Sequence, residues 1–208
     1  MTDLWDALAT VVDPELDRPI TDLGFVSEAV VVAGHARVRL RLPTYFCAPN
    51  FAYLMVADAY DAVRPLAKTV DVQLEDHFAA EEINAGVAAS AGFTGAFPGL
   101  ASAELDELRV TFQRKAYLAS LDRVLRVAPA AVTIADVPSS PELTAMLRRR
   151  AVLDLDCAPD SVLRLDEHGA PLTELRARYA RSVRLSIDGN ASFCGGLLRT
   201  RYPEVVND

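Results

Sequence analysis

Apolar residues Leu4, Trp5, Leu8, Val11 and Val12 recur at helical spacing behind Thr2 or Asp3, either of which can cap a first turn, and Pro14 stops the helix. The period then changes. From Gly24 onward Phe25, Val26 and Val30–Val32 read as a strand, Ala33-Gly34-His35 as a tight turn, and Arg37-Val38-Arg39-Leu40-Arg41-Leu42 as a strand alternating arginine with aliphatic. That predicts a hairpin with one wet face. Pro49 suits the first turn of a second helix, whose apolar stripe of Phe51, Leu54, Met55, Ala59 and Ala62 lasts until Arg64-Pro65. Thr69–Glu75 alternates again as a third strand. In the order α-β-β-α-β, a right-handed crossover through the second helix lays the third strand parallel to its partner. The expected fold is an α+β sandwich of about 75 residues, a three-stranded sheet with two helices on one face.

Glycines 92, 95 and 99 with Pro98 punctuate the chain, which predicts a domain spanning residues 1–92 and a C-terminal accessory region, 101–208, of unknown role. In that region 102–127 reads as a long amphipathic helix with Leu105, Leu108, Phe112, Leu118, Leu121 and Leu125 on one stripe. Val132-Thr133-Ile134 suggests a short strand, Pro141 opens a helix ending in Arg148-Arg149-Arg150, and Ser161–Leu165 and Ser182–Ile187 alternate as strands. The expectation is a second, smaller α+β or mostly helical region. The arginine triplet either faces an acidic partner or phosphate, or simply complements the end of its helix.

The chain has 208 residues, and its net charge of −8 argues against a nucleic-acid binder, which carries a basic footprint. The imbalance is local: residues 1–100 hold 6 basic and 14 acidic side chains, whereas residues 101–208 hold 15 of each. No apolar run approaches the roughly 20 residues of a membrane helix. The start carries Asp3 and Asp6 where a secretory signal carries basic residues, so a cytoplasmic protein is expected. Three cysteines, Cys47, Cys157 and Cys194, fit reduced thiols better than a disulfide framework.

Candidate chemistry gathers at the ends of the predicted elements. Cys47 lies just before the second helix, where unpaired amides and the positive end of the helix dipole favour a thiolate; the alternative is a small buried hydrophobe. Asp13 and Glu15 flank the rigid Pro14 and either ligate a metal or merely shape a turn. If residues 78–90 are helical, His77 and Glu81 stand four apart on one face, a spacing that holds a divalent metal; the alternative is an ordinary helix start. Cys157 and Cys194 are weaker metal candidates that would have to converge with Cys47 from distant segments. The Gly195-Gly196 pair beside Cys194 would let another backbone approach.

Val11-Val12-Asp13-Pro14-Glu15, Asp22-Leu23-Gly24-Phe25-Val26 and Leu42-Pro43-Thr44 with Cys47 ahead of a helix occur in that order over residues 4–76. Together they resemble the SufT/PaaD-like family of iron–sulphur cluster assembly domains. Here Ala48 separates Cys47 from Pro49, where the family joins cysteine directly to proline. The resemblance implies that Asp13, Glu15, Thr44 and Cys47 handle the cofactor, with Cys47 as the reactive or cluster-binding thiol. The cargo it implies is an iron–sulphur cluster or iron, held transiently. Asp76-His77-Phe78 followed by Glu82-Ile83-Asn84 is similar to the branch accompanying bacterial di-iron monooxygenases.

The leading expectation is therefore a metallocluster maturation factor that delivers iron or a cluster to a client metalloenzyme, such as a monooxygenase component. A homodimer that supplies further ligands stays open. Two other readings stand beside it: a non-catalytic partner-binding adaptor, and a thiol enzyme in which His77 activates Cys47.

Overall fold

The computed structural model describes residues 3–203. Thr2, one of the two expected caps, lies outside them. Asp3 takes the N-cap of α1 (Leu4–Leu8), its amide donating to the Asp6 carboxylate at 3.4 Å. The helix is shorter than the pattern suggested: Leu4, Ala7 and Leu8 are buried, Trp5 is exposed, and Val12–Asp13 forms β1, paired antiparallel with β2 (Arg18–Pro19).

The main sheet has the order β3 (Val26–Val32), β4 (His35–Arg41), β5 (Thr69–Glu75), with β3/β4 antiparallel and β4/β5 parallel. At the hairpin, Ala33 (φ 52°) and Gly34 (φ 83°) both adopt left-handed backbone, which matches the twist of a two-residue turn and suits glycine at its second position. Ala36, Val38, Leu40, Val72 and Leu74 point into the core. Arg37, Arg39 and Arg41 line the wet face and pair with Glu28 (3.4 Å), Asp71 (2.7 Å) and Glu75 (3.3 Å) respectively. α2 (Pro49–Val63) covers the inner face and buries Ala52, Tyr53, Leu54, Met55, Val56, Ala59 and Val63, so its buried face is wider than the predicted stripe and leaves Phe51 and Ala62 at its margin.

The stretch expected to be a boundary is instead packed structure. After α3 (Ala80–Ala88), α4 (Gly92–Ala96) begins under the Glu104 carboxylate, which accepts the amides of Phe93 (2.7 Å) and Thr94 (3.1 Å). Phe93 stacks edge-on against Tyr53 at 5.4 Å and meets Phe97 at 5.0 Å. The chain divides into one unit of residues 1–106 with 191–208, and a second of residues 107–190. The first unit thus takes back the end of the last helix, because Leu198 and Tyr202 are buried in its core.

The second unit is mostly helical. It contains α5 (Asp106–Val127), α6 (Pro141–Val152) and most of α7 (Glu174–Arg201), with Tyr117, Leu121, Val124, Ile134, Met146 and Leu163 at its centre. None of the three expected strands forms: the segments around 133 and 162 meet only in an isolated bridge, and Ser182–Ile187 is helical. Its alternation misled because the residues that matter are Ala180, Val183 and Ile187, buried at helical spacing, while Leu185 is exposed. The arginine triplet is not one patch. Arg148 is exposed, Arg149 donates to Ala145 O at 2.7 Å, and Arg150 is fully buried and donates to Val162 O at 2.9 Å. No described helix is long and apolar enough to cross a membrane.

The α3–α4 contact depends on Gly86, where an added Cβ would stand 2.4 Å from Ala96 Cβ. Gly86→Ala is expected to cost about 1–3 kcal/mol and lower the melting temperature. Gly189→Ala meets nothing within 4 Å inside α7 and is expected to leave stability unchanged or raise it by up to about 1 kcal/mol. Thermal melting of the two variants measures the contrast.

Candidate functional site

The loop Pro43–Ala48 carries the chain from β4 into α2, with Ala48 at the N-cap and Pro49 opening the helix. Cys47 sits immediately before the cap, half-buried against the core of the first unit. Thr44 Oγ1 accepts the Phe46 amide at 3.3 Å and lies 3.3 Å from Cys47 Sγ, within hydrogen-bonding reach of the sulphur, and its hydroxyl can donate to a thiolate there.

The loop is clamped from the end of β5. Asp76 turns the chain in left-handed conformation (φ 51°), and His77 is buried behind it. The Ala79 amide donates to His77 Nδ1 at 3.2 Å, which leaves the proton on Nε2, and Nε2 donates to the Cys47 carbonyl at 2.8 Å. The Phe78 amide donates to Tyr45 O at 3.1 Å. Burial holds the His77 imidazole below the usual histidine range, helped by Arg201 and opposed by the bond to Cys47, so the ring is neutral near pH 7. Both ring nitrogens are thus engaged with backbone. α3 starts only at Ala80, so His77 stands outside the helix that carries the exposed Glu81, and the expected pairing along one helical face does not form.

Asp13 and Glu15 shape a turn. Asp13 Oδ1 accepts the amides of Glu15 and Leu16, each at 2.8 Å, and its carbonyl accepts the Asp17 amide at 2.9 Å. The side chain is buried, and burial pushes its carboxyl up to about 6 against the two amides that favour the ionised form.

The end of α7 brings a second thiol to this region. Ala191, Cys194, Leu198 and Tyr202 recur along one face of the helix and its end and pack on the core of the first unit. Arg201 donates to the carbonyls of Leu42, at 3.1 Å, and of Asp76, while Tyr202 OH donates to Asp76 Oδ2 at 3.0 Å. Arg41 lies 5.0 Å from the centre of the Tyr202 ring. Burial pushes the Cys194 thiol up to about 11, and Cys47, Asp13 and Glu15 stand close enough to add to the shift. Cys157, by contrast, belongs to the second unit, where its thiol contacts Leu155 O at 3.4 Å. Gly195 and Gly196 lie inside α7, and a side chain built on Gly196 would meet nothing within 4 Å. Among the described residues, no group of three or more histidine, cysteine or acidic side chains is gathered to hold a metal ion.

Sequence reasoning missed Arg201, Tyr202 and an aromatic trio. Tyr45, Phe46 and Phe78 are 47%, 76% and 47% exposed, yet Phe46 lies only 5.0 Å from Tyr45 and 5.9 Å from Phe78, so the three form one apolar patch beside Cys47. The i, i+4, i+8 spacing of Cys194, Leu198 and Tyr202 is the sequence signal for the α7 contact, masked by the strand-like alternation of Ser182–Ile187.

The Asp13 carboxyl, raised from 3.8 to about 6 in the folded protein, keeps a proton that the unfolded chain releases. Stability is therefore expected to fall as pH rises from about 4 to about 6, by up to about 3 kcal/mol, and to level off above that. Asp13→Asn keeps an acceptor for the two amides and cannot ionise, so it should lose this pH dependence and be at least as stable as wild type at pH 7. Asp13→Ala, which loses both bonds, should be less stable by about 1–2 kcal/mol. Melting temperatures between pH 4 and pH 7 measure all three.

Comparison with known proteins gives one family: residues 1–75 match the model described as iron-sulfur cluster assembly protein. No curated protein and no solved structure matches the chain. The match runs through α1, the hairpin, the Cys47 loop and α2 to Glu75, the last residue of β5, and it leaves α3 to α7 outside. The α+β part of this chain that carries Cys47, residues 1–75, is an iron–sulphur cluster assembly family domain.

Proposed function

We propose that the chain is a metallocluster assembly factor that takes iron or a nascent iron–sulphur cluster transiently on Cys47 and passes it to a client enzyme. The observation that carries this reading is the placement of Cys47 within the family domain, half-buried at a strand-to-helix loop with the Thr44 hydroxyl on its sulphur. A hydroxyl donor stabilises a thiolate, the form that binds metal. The absence of a three-ligand cage among the described residues suits a carrier, since cargo held by few protein ligands keeps positions open for the client's own.

The exposed trio of Tyr45, Phe46 and Phe78 suits contact with a protein client, because aromatic patches of this kind are enriched at interfaces. A metalloenzyme is the client class we favour, with a monooxygenase component as the narrower choice on the Asp76-His77-Phe78 element. A thiol enzyme is less well supported: His77 spends Nε2 on the Cys47 carbonyl and so does not serve its sulphur as a base.

Anaerobically purified or reconstituted protein is expected to carry iron and acid-labile sulphide, and Cys47→Ser to lose most of both while melting at the wild-type temperature. Thr44→Val should retain less than wild type and more than Cys47→Ser. Wild-type protein that stays metal-free after reconstitution would replace this reading with the partner-binding adaptor.

A further inference from the structure

We infer that Cys194, outside the family-matched residues, is the second thiol of the Cys47 site, so that one thiophilic cation is held between a loop of the assembly domain and the last turns of α7. The inference rests on the proposed carrier role only for the identity of its natural cargo.

Cys47 and Cys194 both pack against the same core, and Cys194 lies on the face of α7 that Leu198 and Tyr202 bury there. That end of the helix is fixed at several points. Arg201, two turns beyond Cys194, donates to Leu42 O at the start of the Cys47 loop and to Asp76 O, and Tyr202 donates to the Asp76 carboxylate. His77, next along the chain from Asp76, donates to the Cys47 carbonyl. The loop that holds one thiol and the helix that holds the other are therefore tied to the same Asp76–His77 turn.

Electrostatics at this place favour a cation. Asp13 and Glu15 bring carboxyl groups toward Cys194, and a divalent ion that displaces the protons of both thiols is drawn by such negative charge. Each metal–sulphur bond forms as one thiol proton leaves to solvent, and no electron transfer is involved. Two protein thiolates leave the other positions of a tetrahedral ion to water, sulphide or a client's ligands.

Cadmium is the probe, because its thiolate bonds give an ultraviolet charge-transfer band whose intensity follows the number of bound sulphurs. Titrating the full-length chain with Cd²⁺ under reducing, anaerobic conditions should give one site per chain with a two-thiolate band. Cys47→Ser and Cys194→Ser should each halve the band and weaken binding by roughly tenfold or more, about 1.4 kcal/mol at least. Cys157→Ser, in the second unit, should leave both unchanged. Melting temperatures equal to wild type in the absence of Cd²⁺ would show that the losses are not unfolding, and Arg201→Ala, which keeps both thiols but frees the helix end, should weaken binding while keeping a two-thiolate band at saturation. A full band and unchanged affinity in Cys194→Ser would overturn the inference. Iron and sulphide that fall in Cys47→Ser but not in Cys194→Ser would do the same while leaving the carrier role standing. Two-thiolate cadmium binding in a protein that never takes up iron would support the thiol pair and remove the carrier role.

Discussion

Parallel pairing of β4 with β5 is the constraint on which the site depends. A hairpin return would have put the far end of β5 beside the Cys47 loop. The α2 crossover instead sets the C-terminal ends of both strands side by side, with Arg41 opposite Glu75. The loop that leaves β4 and the turn that leaves β5 therefore emerge together, and the buried His77 closes them with a hydrogen bond to the Cys47 carbonyl. Because that imidazole is neutral and engaged at both nitrogens, it acts as a rigid strut: it fixes where the Cys47 backbone stands while leaving the sulphur to Thr44 and to whatever enters from outside.

The acidic element plays a part that its residue types alone do not reveal. Asp13 is spent on turn geometry, and the desolvation it suffers outweighs the two amide bonds that favour its ionised form. A turn built this way costs stability near neutral pH. In return it keeps carboxyl groups where they bear on Cys194. Of the two readings of Asp13-Pro14-Glu15 that the sequence offers, the hydrogen bonds of Asp13 describe the turn.

The first 75 residues were legible because their signals agree. Proline and glycine positions, alternation in the strands and the apolar stripe of α2 point to the same order, and the hairpin turn falls on Ala33-Gly34. The second half was less legible for identifiable reasons. Six residues that alternate, 182–187, fit a strand and also fit a helix that buries only Val183 and Ile187. Gly92 to Gly99 resembled a linker, yet Glu104 caps α4 from a distance of ten residues or more along the chain, a contact no local pattern announces. The same limit applies to the site. Cys47 and Thr44 were readable from their place before a helix, whereas the approach of Cys194, Arg201 and Tyr202 is a tertiary contact more than a hundred residues away in sequence.

Under the proposed carrier role, an assembly domain with one family thiol and a second thiol on α7 suits cargo that must be given up: few protein ligands would hold it, and the exposed aromatic patch would lie beside the point of transfer. X-ray absorption at the iron edge of the anaerobically reconstituted protein tests the central claim most directly. The account predicts iron surrounded by sulphur, whereas iron bound only through oxygen and nitrogen, or not retained at all, would contradict it.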